Sequence, residues 1–237
     1  MVQSSSRPDH IETRGIDLAL GRYEEVVSRV AAAAQRSDRA VDEVTIVAVS
    51  KTKTPEEIQT VYDLGHRDFG ENRAQELAAK APHLPDDIRW HFVGSLQSNK
   101  VRLVRGLTHM LHSMDRRSLA RAWLKGPGAP APVLLEVNIA QEPQKAGIAP
   151  EDIRENITGM ASLGVDMQGL MAIPPIPDRP EQSRPFFRQL RELKESLLPD
   201  WPMVNELSMG MTDDFEVAIE EGASIIRVGR AIFGPRN

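Results

Sequence analysis

The chain has 237 residues, 41% of them hydrophobic, which suits one large α/β domain and is too apolar for a disordered polymer. Its net charge of −5 argues against a non-specific nucleic-acid binder, and no run reaches the ~18 apolar residues of a membrane span. There is no cysteine, so disulfides, thiolate metal sites and cysteine nucleophiles are excluded.

Residues 1–10 are polar and carry no apolar stretch like that of a signal peptide, so they read as a flexible tail on a cytoplasmic protein. Residues 11–237 are expected to form a single domain. Leu20, Tyr23, Val27, Val30 and Ala34 lie at helical spacing and predict a helix over 16–35, capping the bottom of the fold or packing on its outside.

From there strand and helix signals alternate. Val44–Ser50 is an apolar strand that delivers Lys51 at its end. Thr54-Pro55-Glu56-Glu57 is a capping box with proline at the first helical position, and Gly65 stops that helix. Strands are expected at 67–70, 90–94, 109–113, 133–138 and 167–173, with helices near 73–80, 97–104, 116–124 and 150–162. A proline-rich loop, 174–185, precedes an amphipathic helix carrying Phe186, Leu190, Leu193 and Leu197. A seventh strand is expected at 204–207, a short helix capped by Thr212 after it, and an eighth strand at 225–228 before a last turn of helix. Eight strand–helix units point to a single (β/α)8 barrel of the TIM type with an extra N-terminal helix; the rival is a doubly wound open sheet.

Barrels keep their chemistry at the C-terminal ends of the strands, and their phosphate sites after strands seven and eight. Lys51 stands at such an end. An amine held against an apolar wall has a lowered pKa and can act as a nucleophile. The alternative is a lysine opening a solvated loop. Lys53 reads as a loop charge. Ser208 and Gly210 leave strand seven, and Gly229 and Arg230 leave strand eight, as two small-residue turns suited to phosphate. Arg227 either faces the barrel mouth or pairs with a carboxylate such as Glu206. Asn72, after strand two, is a ligand donor or a helix N-cap. His91, between aromatic residues, reads as a satisfied core histidine, and no metal-ligand spacing is evident.

Taken in order, Ala48-Val49-Ser50-Lys51-Thr52-Lys53, Phe69-Gly70-Glu71-Asn72, Trp90-His91-Phe92-Val93-Gly94, Leu96-Gln97-Ser98-Asn99-Lys100, Gly169-Leu170-Met171-Ala172-Ile173-Pro174 and Leu207-Ser208-Met209-Gly210-Met211 through Gly234 closely resemble the pyridoxal phosphate homeostasis protein family. The resemblance implies a fold-type III barrel like the N-terminal domain of alanine racemase, without the C-terminal β domain. It implies pyridoxal 5'-phosphate (PLP) as cofactor, held covalently as a Schiff base on Lys51. It implies Arg227 at the pyridine nitrogen, Asn72 near the ring, and Ser208 with the amides of Gly229 and Arg230 on the phosphate. Arg230 stands where threonine is usual in that family. The implied role is intracellular PLP homeostasis, buffering PLP or delivering it to PLP-dependent apoenzymes, with effects on amino- and keto-acid balance and no catalytic residue. The expected protein is a monomer, with no nucleic-acid or membrane partner.

Two other functions compete. A PLP-dependent amino-acid racemase needs two positioned acid–base groups, and the two tyrosines, Tyr23 and Tyr62, are expected on helices away from the mouth. A barrel for another phosphorylated metabolite would use Lys51 as a simple counter-ion.

Overall fold

The structure, a computed structural model, describes residues 9–235. The expected tail therefore lies outside the described residues as far as residue 8. Its last two positions, Asp9 and His10, already belong to the first helix, α1 (Asp9–Arg36). That helix starts seven residues earlier than its apolar spacing suggests.

Eight parallel strands close into a barrel in sequence order, with β1 (Thr45–Val49) hydrogen-bonded to β8 (Ile225–Val228). Between them lie β2 (Asp68–Glu71), β3 (Arg89–Phe92), β4 (Thr108–Met114), β5 (Val133–Glu136), β6 (Met167–Met171) and β7 (Glu206–Met211). The intervening helices are α2 (Pro55–Asp63), α3 (Ala74–Lys80), α4 (Val101–Val104), α5 (Arg117–Lys125), α6 (Ile153–Ala161), α7 (Arg184–Leu197) and α8 (Phe215–Glu220), and α9 (Arg230–Phe233) follows β8. The open-sheet alternative is excluded by the β1–β8 ladder.

Strand alternation explains the two cores. Outward residues such as Ala48, Phe69, Trp90, Phe92, Leu135, Leu207, Ile226 and Val228 join the helices in one apolar shell. Inward Val47, Met110, Leu134, Met171 and Ile225 fill the barrel as a smaller cluster, with Val49 packed against it. Gly70 faces the same interior, where a Cβ would stand 2.8 Å from a Val47 methyl. Counting on in twos from Val47 and Val49 brings Lys51 to the mouth.

The predicted capping box forms. Glu57 N–H donates to Thr54 Oγ1 at 3.3 Å, and Thr54 N–H donates to Glu57 Oε2 at 2.8 Å. Three expectations change. The buried stripe of α1 includes Val26, Val30, Ala33 and Ala34, whereas Leu20 and Val27 are exposed. The helix lies on the outside of the barrel against α8 and α9: Arg22 donates to the Ile232 carbonyl at 3.1 Å and Arg29 to Glu216 at 2.7 Å. The proline-rich loop ends sooner, because α7 takes Arg184 and Pro185 into its first turn, where proline's missing N–H costs nothing.

The third change matters most for the site. β7 runs on to Met211, four residues past its expected end. Gly210 does not end the strand. It adopts φ +89°, and a Cβ there would come within 2.5 Å of the Ala218 Cβ, so glycine lets β7 approach α8. Asp214, not Thr212, flanks the start of α8, and its Oδ1 accepts from Met211 N–H at 2.7 Å.

Candidate functional site

A cavity of about 650 Å³ opens at the C-terminal ends of the strands. Lys51, Asn72, Arg227, Gly229 and Arg230 all line it, so five of the six expected residues meet in one place. Val49, Val93, Ile173 and Phe233 supply its apolar wall.

The backbone around Lys51 is held on both sides. Ser50 Oγ donates to Glu71 Oε1 at 2.8 Å, and Lys80 Nζ donates both to that oxygen at 2.7 Å and to the Ser50 carbonyl at 3.0 Å. On the other side, Thr52 N–H donates to Glu76 Oε2 at 2.9 Å, and that carboxylate also accepts from Lys80 at 3.0 Å. Thr52 adopts φ +66°, a strained conformation for a β-branched residue that persists only where surroundings enforce it. These contacts, made by β2 and α3 with Ser50 and Thr52, fix the turn from which Lys51 projects. Burial raises the Glu71 carboxyl pKa, an effect opposed by Lys80 and Ser50.

Lys53 is not the loop charge expected. It is buried, lines the cavity and pairs with Glu57 Oε1 at 3.0 Å. Asn72 is not a helix cap, since Arg73 precedes α3. Its Oδ1 is buried with no hydrogen-bond partner among the described residues. Gly94 packs against it so closely that a Cβ would stand 2.2 Å from the Asn72 carbonyl oxygen. At the last turn, a Cβ on Gly229 would press to 3.3 Å from the Val49 carbonyl. Arg230 is ion-paired to Asp213 across the turns that follow β7 and β8.

Ser208 is placed differently from the expected phosphate ligand. Because β7 continues to Met211, Ser208 is an interior strand residue, fully buried, and is not among the residues lining the cavity. Its hydroxyl oxygen accepts from Arg227 Nη1 at 2.5 Å. Arg227 Nη2 donates to the Ala172 carbonyl at 3.0 Å. Glu206, the alternative partner for Arg227, instead accepts from Ser224 Oγ at 2.5 Å. Burial lowers the Arg227 pKa to about 10, which still leaves a full charge at neutral pH.

Two interior groups escaped the sequence reading. His112 Nδ1 lies 2.9 Å from Ser208 Oγ. Glu136, inward on β5 with Leu134, is buried, and its Oε2 has no partner among the described residues. Burial and the charge of Asp115 push its pKa up to about 7. The period-two pattern of Leu134 and Glu136 was the available signal. His91 is satisfied, as expected: Nε2 meets Asp68 Oδ1 at 3.1 Å and Nδ1 meets His112 Nε2 at 2.9 Å.

The cavity thus combines an amine on a fixed turn, a buried guanidinium, an unpartnered amide oxygen and two further cations beside a glycine turn. That set suits a small anionic molecule and offers it an amine able to attack a carbonyl group.

Comparison with known proteins agrees with this chemistry. The profile of the family described as "Alanine racemase, N-terminal domain" matches residues 26–237. A relative from Aquifex aeolicus named pyridoxal phosphate homeostasis protein is 42% identical over 224 residues, covering 92% of this chain and 98% of its own. Among solved structures, an unknown protein from Bifidobacterium adolescentis superposes with a TM-score of 0.84 at 32% identity, covering 98% of this chain and 97% of that one. PipY of Synechococcus elongatus PCC7942, with PLP bound, superposes with a TM-score of 0.74 at 34% identity, covering 88% of this chain and 100% of that one.

Proposed function

This chain belongs to the pyridoxal phosphate homeostasis protein family, and from that premise we propose that its barrel mouth binds PLP through a Schiff base to Lys51. The observation that carries the proposal is the meeting of Lys51, Asn72, Arg227, Gly229 and Arg230 around one cavity. PLP supplies an aldehyde for amine capture and, in enzymes, an electron sink.

The remaining roles belong to the protein. Lys51 provides the nucleophilic amine, on a turn held by Lys80, Glu71 and Glu76. Asn72 offers its unpartnered oxygen, or its amide N–H₂ after a flip, to the polar edge of the ring. Arg227 presents a guanidinium that stays charged and cannot accept a proton, which restrains the ring nitrogen from protonation and weakens carbanion chemistry. The turn at Gly229 and Arg230 takes the phosphate. Ser208 positions Arg227.

We read the protein as a PLP carrier rather than a racemase. Tyr23 is engaged with His66 Nδ1 at 3.2 Å and Tyr62 with Asp87 at 2.7 Å, and both sit on outer helices. Neither lines the cavity. The same reading has the protein acting as a monomer in the cytoplasm, buffering PLP or delivering it to PLP-dependent apoenzymes. Among the described residues no helix is long and apolar enough to cross a membrane.

The test is direct. Protein mixed with PLP develops a visible band, borohydride reduction bleaches it and fixes the label on Lys51, and Lys51→Ala stays colourless. Wild-type protein that develops no band refutes PLP binding. For the carrier reading, α-proton exchange of alanine in deuterated water is followed next. Turnover on the order of 1–1000 per second would make it an enzyme.

A further inference from the structure

A single file of hydrogen bonds crosses the barrel interior, from the N-terminal ends of β2 and β3 to the cavity. It runs from Asp68 Oδ1 to His91, from His91 to His112, from His112 to Ser208 Oγ and from Ser208 to Arg227, with separations of 3.1, 2.9, 2.9 and 2.5 Å. Asp68 and Arg89 begin their strands, so this end lies at the barrel floor, opposite the mouth. His91, His112, Ser208 and Arg227 are all buried.

Donor and acceptor chemistry orders the file from its Asp68 end when both imidazoles are neutral. A carboxylate only accepts, so the His91 proton is on Nε2, facing Asp68. His91 Nδ1 then accepts from His112 Nε2–H, and His112 Nδ1 accepts the single hydroxyl hydrogen of Ser208. The Ser208 oxygen is left to accept from Arg227, whose guanidinium only donates. With neutral rings, reversing any link between Asp68 and Ser208 leaves two donors or two acceptors face to face. Burial holds the His112 imidazole well below its usual pKa, in keeping with a neutral ring here.

Among the described residues Arg227 has no carboxylate in hydrogen-bond contact; its partners are Ser208 Oγ and the Ala172 carbonyl. A charge buried with so few acceptors depends on the orientation of each. We propose that Asp68, His91, His112 and Ser208 form a directional positioning relay that anchors Arg227 at the floor of the cavity and thereby sets how firmly PLP is held. The proposal rests on the PLP reading for its ligand, but the relay itself is a property of the protein alone.

Two measurements test it. In full-length protein with ¹⁵N-labelled histidine, long-range proton–nitrogen correlation reports the tautomers without any PLP. Both His91 and His112 are expected with the proton on Nε2, and a proton on Nδ1 of either would overturn the relay. This holds even if PLP never binds. The second measurement is PLP affinity from the visible band in Asp68→Asn and Arg89→Gln. Arg89 donates to both Asp68 oxygens but stands outside the file. Loss of the Asp68 charge is expected to weaken PLP binding about two- to thirtyfold, with Arg89→Gln within about twofold of wild type. Equal losses in both variants would show that Asp68 matters only as the partner of Arg89, and the relay would fail.

Discussion

Lys80 donates to the carbonyl oxygen of Ser50, 3.0 Å away, and so fastens helix α3 to the residue just before Lys51. The same ammonium neutralises Glu71, which is fully buried. Removing one partner of a buried pair leaves the other charged and unpaired. Lys80→Met is therefore expected to destabilise the fold by about 3–5 kcal/mol in urea denaturation. Adding Glu71→Gln to it should restore much of that loss. A double variant no more stable than Lys80→Met would mean that the pair is not the source of the effect.

Gly94 and Asn72 touch backbone to backbone, which leaves no room for a methyl group at 94. Gly94→Ala must move β3 or the turn bearing Asn72. A loss of about 1–3 kcal/mol in stability is expected, the usual range for overpacking. PLP affinity should fall with it. Unchanged affinity would separate Asn72 from the ligand.

The pH dependence of stability should carry the signature of Glu136. Its folded pKa is raised to about 7 from the usual 4.5. Between those values the folded chain holds a proton that the unfolded chain has lost, so stability falls as pH rises through the window and the loss is complete above it. At about 1.4 kcal/mol per pKa unit the penalty is on the order of 3 kcal/mol. Glu136→Gln is expected to flatten the curve and to be the more stable protein at pH ~8, by on the order of 1–3 kcal/mol. Parallel curves for the two proteins from pH ~5 to ~8 would rule this out.

The ion pair of Arg230 with Asp213 joins two side chains that are more than half exposed, so it contributes little to stability. It also occupies the guanidinium, so in the proposed PLP complex the phosphate would be left to the backbone of the turn. Arg230→Thr is therefore expected to keep its melting temperature and to bind PLP within about threefold of wild type. A loss of tenfold or more would assign the side chain a direct contact with phosphate.

Much of this was legible in the residues. The alternation of Val47, Val49 and Lys51 brings an amine to a strand end whatever lies around it, and the capping box at Thr54 forms as its chemistry requires. Ser208 was misplaced because Gly210 looks like a turn glycine, whereas it is a point of close approach between β7 and α8. A glycine needed for contact and a glycine needed for a turn look alike until the neighbouring helix is known. His112 acts through partners on other strands, Lys80 reaches from α3 to Glu71 and the Ser50 carbonyl, and the inward file exists only when β2, β3, β4, β7 and β8 share one interior. Lys53 keeps its place on the loop after β1, but it is buried against the cavity and paired with Glu57 in the first turn of α2, a packing that the loop sequence does not announce.

The ladder between β1 and β8 makes neighbours of residues that are translated far apart in time. Val47 pairs with Arg227, and the cavity takes its amine from one end of the described chain and its glycine turn from the other. A nascent chain would carry Lys51 out of the ribosome long before Gly229 is made. A ligand spanning both strands would act as a clasp on the ring, favouring the closed barrel over any state in which the terminal strands have separated. Bound ligand should thus slow proteolysis at the β1–β8 seam more than elsewhere, so that the join between the barrel's two terminal strands becomes its best-protected contact.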